Sequence, residues 1–153
     1  MEKLDDLTFT AIFGILQSGM WLLNDLETYL KPFGLSQARL SILLAIEESA
    51  DGMISPHEIA KITGKSRPGI TRMIERLEKD GLLSIHLNTS DGRMKHLSMT
   101  LKGRGLLERI NPEYSKHILE MGKQLTDNDK EQLITLLEKL DFLDAEKCLR
   151  RFS

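Results

Sequence analysis

From Leu7 to Leu30 apolar residues recur at helical spacing (Ile12, Ile15/Leu16, Met20, Leu23, Leu26 and Leu30), with Phe9, Phe13 and Trp21 in the same stretch. That period, with no proline to interrupt it, predicts one long helix. Its apolar face is wider than one side of a small core requires, so two neighbours are expected, a second chain among the candidates. Pro32 and Gly34 end it. Ser36 is placed to cap a second helix with Leu40, Leu43/Leu44 and Ile46 inward. Asp51-Gly52 marks a turn. Ser55-Pro56-His57-Glu58 then opens a third helix, with Ser55 as cap, Pro56 at the first helical position and Glu58 completing a capping box. Gly64 stops it after Ile59, Ala60 and Ile62. A fourth helix starts at Ser66, tolerates Pro68 in its first turn, buries Ile70, Met73/Ile74 and Leu77, and ends at Gly81.

The period then changes to two. Leu83, Ile85 and Leu87 alternate with Ser84 and His86, Asn88-Thr89-Ser90-Asp91-Gly92 supplies turn chemistry, and Leu97 and Met99 alternate on the return. This predicts a β-hairpin. Thr100 can cap a fifth helix carrying Leu106/Leu107 and Ile110. Asn111-Pro112 should kink it or mark a boundary before Ile118, Leu119 and Met121 continue the pattern. Thr126 and Asp129 resemble another capping start, for a helix with Leu133, Leu136/Leu137, Leu140 and Phe142/Leu143.

Charge changes the picture more than bulk composition does. The 153 residues, 41% hydrophobic and 29% charged, make an ordinary globular balance. The net charge of −2 hides a polarised chain: Lys61 to Arg104 holds ten basic against four acidic residues, and the remainder eleven against nineteen. One surface therefore suits a polyanion while the flanks repel it. The longest uninterrupted apolar runs, such as Ile42 to Ile46, fall far short of a membrane span. A start reading Met-Glu-Lys-Leu-Asp-Asp lacks the form of a secretion signal. One cysteine, Cys148, allows no internal disulfide. The expected compartment is the cytoplasm.

On the fourth helix Arg67, Thr71, Arg72, Glu75, Arg76 and Lys79 lie opposite the buried stripe, with Ser66 and Arg67 at its start. A DNA major groove admits such a helix, and its base edges are read by arginine, threonine and serine. The helix start also offers backbone N–H groups to phosphate. The hairpin follows directly, with Asp91, Gly92 and Arg93 at its tip and Lys95 beyond. Arginine on a projecting hairpin suits the negative potential of a minor groove, and a carboxylate two residues earlier can orient its guanidinium.

The run Ser66-Arg67-Pro68-Gly69-Ile70-Thr71-Arg72-Met73-Ile74-Glu75-Arg76-Leu77-Glu78-Lys79-Asp80-Gly81-Leu82, then Asp91-Gly92-Arg93 and Leu97-Ser98-Met99-Thr100-Leu101-Lys102-Gly103, resembles the MarR family of bacterial regulators. Met99 stands where that family usually has leucine. The resemblance runs from about Leu7 to Leu140. It implies a mainly α fold with a small β-hairpin wing, a winged helix-turn-helix lobe over residues 36–100, and helical dimerisation segments at 7–30 and 101–147 of a single chain, 1–153. The implied function is transcription regulation, as repressor or activator, by a homodimer on a pseudo-palindromic double-stranded operator. Ser66, Arg67, Pro68, Thr71, Arg72 and Arg76 would face the major groove, Arg93 would enter the minor groove and Asp91 would position it. Two-fold sites match two-fold proteins.

Other chemistry is thin. His86 and His96 could face each other across the hairpin, but no ligand set completes a metal site. His57 could touch phosphate or simply be exposed. There is no Gly-rich phosphate loop, nucleophile elbow or His-Glu-x-x-His, so neither catalysis nor a cofactor is expected. Some relatives sense oxidants through a cysteine in the first helix, which has none here. A small aromatic or phenolic effector could occupy a cleft lined by Phe13, Met20 and Trp21, or these could be core. A winged helix used for protein–protein contact without DNA is the competing reading.

Overall fold

Asp5, extended at φ −85°, ψ 151°, accepts the Thr8 amide at 2.8 Å and so caps α1 (Asp6–Leu30). The computed structural model describes residues 5–63, 66–87 and 95–141. It divides into two compact units, residues 1–40 and 41–153. In the first, α1 runs into a single 3-10 turn, Lys31–Phe33, and Gly34 ends it at φ 67°, a left-handed conformation that suits glycine. Phe9 and Phe13 stack along α1 with centroids 5.3 Å apart. Most apolar side chains of α1 are exposed in the single chain.

That exposure corrects one expectation. Uninterrupted apolar runs are short, yet Asp6–Phe33 contains an 18-residue window of mean hydropathy 1.3, long and apolar enough by length and composition to cross a membrane. Glycine, serine and threonine break the runs without lowering the average much.

α2 (Gln37–Glu47) begins with the Arg39 amide donating to Ser36 Oγ at 3.3 Å. Besides the expected Leu40, Leu43, Leu44 and Ile46, it buries Ile42 and Ala45. A helix covered on most sides has no single apolar stripe to betray its orientation. β1 (Met53–Ile54) follows, a strand too short to show alternation and absent from the sequence-based expectation.

In the second unit α3 (Pro56–Thr63) starts with the predicted capping box: Glu58 Oε2 accepts the Ser55 amide at 2.8 Å and its hydroxyl at 2.6 Å, while the Glu58 amide donates to Ser55 Oγ at 3.2 Å. The Ser55 hydroxyl, then its amide, hold the Glu58 carboxyl below the usual carboxylate range. A carboxyl lowered in this way stabilises the fold above its ordinary pKa and loses that contribution as pH falls through the lowered value. Ser55→Ala should therefore cost about 1 kcal/mol at neutral pH, and the gap to wild type should shrink in acid. Thermal melts across a pH series would check this, and a gap that widened in acid would contradict it.

α4 (Arg67–Lys79) buries Ile70, Ile74 and Leu77. β2 (Leu83–Leu87) and β3 (Lys95–Met99) pair antiparallel with Ile85 opposite Leu97 and His86 opposite His96. β1 adds to the other edge of β3, so the expected hairpin is a three-stranded sheet in the order β1-β3-β2. Thr100 caps α5 (Leu101–Met121), its hydroxyl accepting the Gly103 amide at 3.0 Å and donating to the Gly81 carbonyl at 2.7 Å. Pro112 lies inside α5, so Asn111-Pro112 is no boundary. Proline removes one helical hydrogen bond, and burial of Leu107, Ile110 and Tyr114 on both sides of it offsets that loss. α6 (Asp127–Lys139) opens with the Thr126/Asp129 capping box. It leaves Leu133, Leu136 and its C-cap Leu140 exposed.

Candidate nucleic-acid interface

Because Ile70, Ile74 and Leu77 fix one side of α4 inward, the residues between them turn outward by helical geometry. Ser66, Arg67, Pro68, Thr71, Arg72, Glu75, Arg76 and Lys79 are all exposed, on roughly half the helix circumference. All six residues expected on this helix to meet a groove thus share one surface. Ser66 sits at the N-cap in extended conformation, and its hydroxyl does not make the capping hydrogen bond. The first-turn amides of α4 and the positive end of its dipole face the same end as Arg67.

Three elements meet at that end. Ser55, Pro56 and His57 of the α3 start, Arg67, Ile70 and Thr71 of α4, and Lys95 of β3 line a cavity of about 550 Å³. Arg67 Nη2 stands 3.5 Å from His57 Nδ1, and Thr71 Oγ1 donates to the Arg67 carbonyl at 3.0 Å. The sheet therefore brings Lys95, from the far arm of the hairpin, to the start of α4. A cationic bowl beside a helix N-terminus is chemically suited to phosphate oxygens. Asp91 and Arg93 lie outside the described residues.

At the opposite end of α4 Arg76 reaches Asp80, Nε to Oδ2 3.3 Å, with the arginine side chain 61% exposed. Sequence reasoning identified Arg76 but not its partner. An acidic residue four positions on is the signal that was available. His86 and His96 do face each other across β2 and β3, and His86 Nε2 lies 2.7 Å from Ser98 Oγ. Among the described residues no group of three His, Cys, Asp or Glu side chains is placed to hold a metal ion. Phe13, Met20 and Trp21 are 44%, 60% and 63% exposed, so they do not complete a core of the single chain.

A family model for the MarR family matches residues 33–94, which takes in α2 to β2 and stops short of β3. The chain is 28% identical over 115 residues to the HTH-type transcriptional repressor YetL of Bacillus subtilis, covering 75% of this chain and 69% of that protein. It is 29% identical over 119 residues to the transcriptional repressor MprA of Escherichia coli K12, covering 78% and 68%. Among solved structures, Sco3205 of Streptomyces coelicolor, a MarR family transcriptional regulator in complex with DNA, superposes with a TM-score of 0.87 at 20% identity over 92% of this chain and 89% of that one. A mutant MarR from E. coli complexed with operator DNA gives a TM-score of 0.71 at 26% identity over 89% and 99%. The family match over residues 33–94, the two repressors and the shared fold together make this chain similar to the MarR family of winged helix-turn-helix proteins.

Proposed function

We propose that the chain is a transcriptional regulator that binds double-stranded DNA as a homodimer, laying α4 of each copy in a major groove of a two-fold related site. One observation carries this reading: the outward side of α4 collects Arg67, Thr71, Arg72 and Arg76 in a single exposed strip beside Lys95. Arg72 and Thr71 are the base readers in this reading, and Arg67, His57 and Lys95 hold phosphate. The relatives named as repressors favour repression. The wing residues Asp91 and Arg93 complete the contact in the adjacent minor groove, by family resemblance. A protein–protein role leaves such a strip of cations without a task.

Selection of bound DNA from a random pool tests the reading. A specific site with two half-sites about one helical turn apart is expected, with affinity falling steeply as salt rises through counterion release. A chain that retains no DNA sequence above background would end it.

The apolar residues left exposed on α1, and separately those on α6, support dimerisation, since apolar surface clustered on a helix marks a contact site. In this reading a second copy, rather than a bilayer, covers α1. An aromatic or phenolic effector bound near Phe13, Met20 and Trp21 would alter the spacing of the two α4 helices. Trp21 fluorescence would report it, and flat titrations across a panel of phenolic acids would remove the effector.

A further inference from the structure

Asp80 does two things at the end of α4. Its carboxylate holds Arg76 Nε at 3.3 Å, and its backbone carbonyl accepts Lys102 Nζ of α5 at 2.7 Å. Asp80 is half-buried while Arg76 is largely exposed, so the carboxylate is the anchored partner and the guanidinium the presented one. Gly81 follows in a left-handed conformation, φ 73°, with its amide on the Glu78 carbonyl at 2.8 Å and the Leu82 amide on the Leu77 carbonyl at 2.9 Å. The backbone that carries the carboxylate is thus held at a closed helix terminus. A guanidinium paired through Nε leaves its two terminal nitrogens to donate elsewhere as a planar fork. That fork matches the paired O6 and N7 acceptors of guanine in the major groove.

The geometry points to Asp80 as a positioning residue that turns Arg76 from a general phosphate contact into a reader of one guanine in each half-site. This rests on the DNA-binding reading above. An arginine at this place that only neutralised phosphate would gain nothing from a neighbouring carboxylate, which repels the same backbone. A carboxylate is useful where orientation matters more than charge.

The test uses the full chain, the site selected by wild type, and that site with each base pair substituted in turn. Asp80→Asn is expected to bind the selected site about tenfold more weakly and to lose discrimination at one base pair per half-site, with random-sequence affinity held. Arg76→Ala should lose discrimination at the same position, and the double variant should lose no more than Arg76→Ala alone. Matching dimer size and melting curves keep misfolding apart from misreading. If Asp80→Asn keeps wild-type discrimination, or binds all sequences more tightly as loss of one negative charge would produce, the inference falls while DNA binding stands. If wild type selects no site, both fall.

Discussion

Arg67→Ala/Arg72→Ala should bind the selected operator a hundredfold or more less tightly than wild type. Each arginine that meets a base edge or a desolvated phosphate contributes roughly 1–3 kcal/mol, and a homodimer presents the pair twice. Both residues are exposed, so the double variant should melt within a few degrees of wild type, surface changes being nearly neutral. Fluorescence anisotropy on the selected duplex across a salt series would separate the two roles. Loss of a phosphate contact lowers the salt slope by about one, and loss of a base contact relaxes specificity instead. Affinity within threefold of wild type would take α4 out of the groove.

Gly103→Val should be the most destabilising single substitution in the second unit. Gly103 is buried in the first turn of α5, and a Cβ built there would overlap the Leu82 carbonyl oxygen and stand 2.8 Å from Met99 Cγ. A backbone carbonyl cannot rotate away as a flexible side chain can. The Leu82 carbonyl is already engaged by the Thr100 amide at 3.2 Å. Valine therefore forces α5 off the end of β3, at a cost of about 3 kcal/mol or more. Thermal and urea unfolding would measure it, with Gly105→Val as the control, since nothing lies within 4 Å of a Cβ there. Equal stability of the two variants would contradict the close approach.

Helices with punctuation were easy to read from the sequence. Ser55/Glu58 and Thr126/Asp129 announce their capping boxes by residue type and spacing, and both form. The period-two stretch announces β2 and β3, and the pairing of His86 with His96 was anticipated. β1 was not legible because two residues cannot show a period. Of the two alternatives at Pro112 the boundary failed, because a local rule met a helix whose packing overrides it. The strip on α4 was legible in full, since a 3.6-residue period assigns every side chain once the apolar stripe is known. What escaped was tertiary. That Lys95 joins His57 and Arg67 around one cavity depends on strand register, and that Lys102 reaches the Asp80 carbonyl depends on how α5 begins. Asp91 and Arg93 remain expectations of the sequence alone.

Three hydrogen bonds weld the end of α4 to the start of α5: the Thr100 hydroxyl on the Gly81 carbonyl, the Thr100 amide on the Leu82 carbonyl, and the Lys102 ammonium on the Asp80 carbonyl. Neither helix can swivel at this joint without breaking them, so the reading helix and the root of the long helix behave as one bent rod. In the dimer proposed above, a change of angle at the root of α5 would therefore be carried through this joint to α4 and so to the DNA it is proposed to meet.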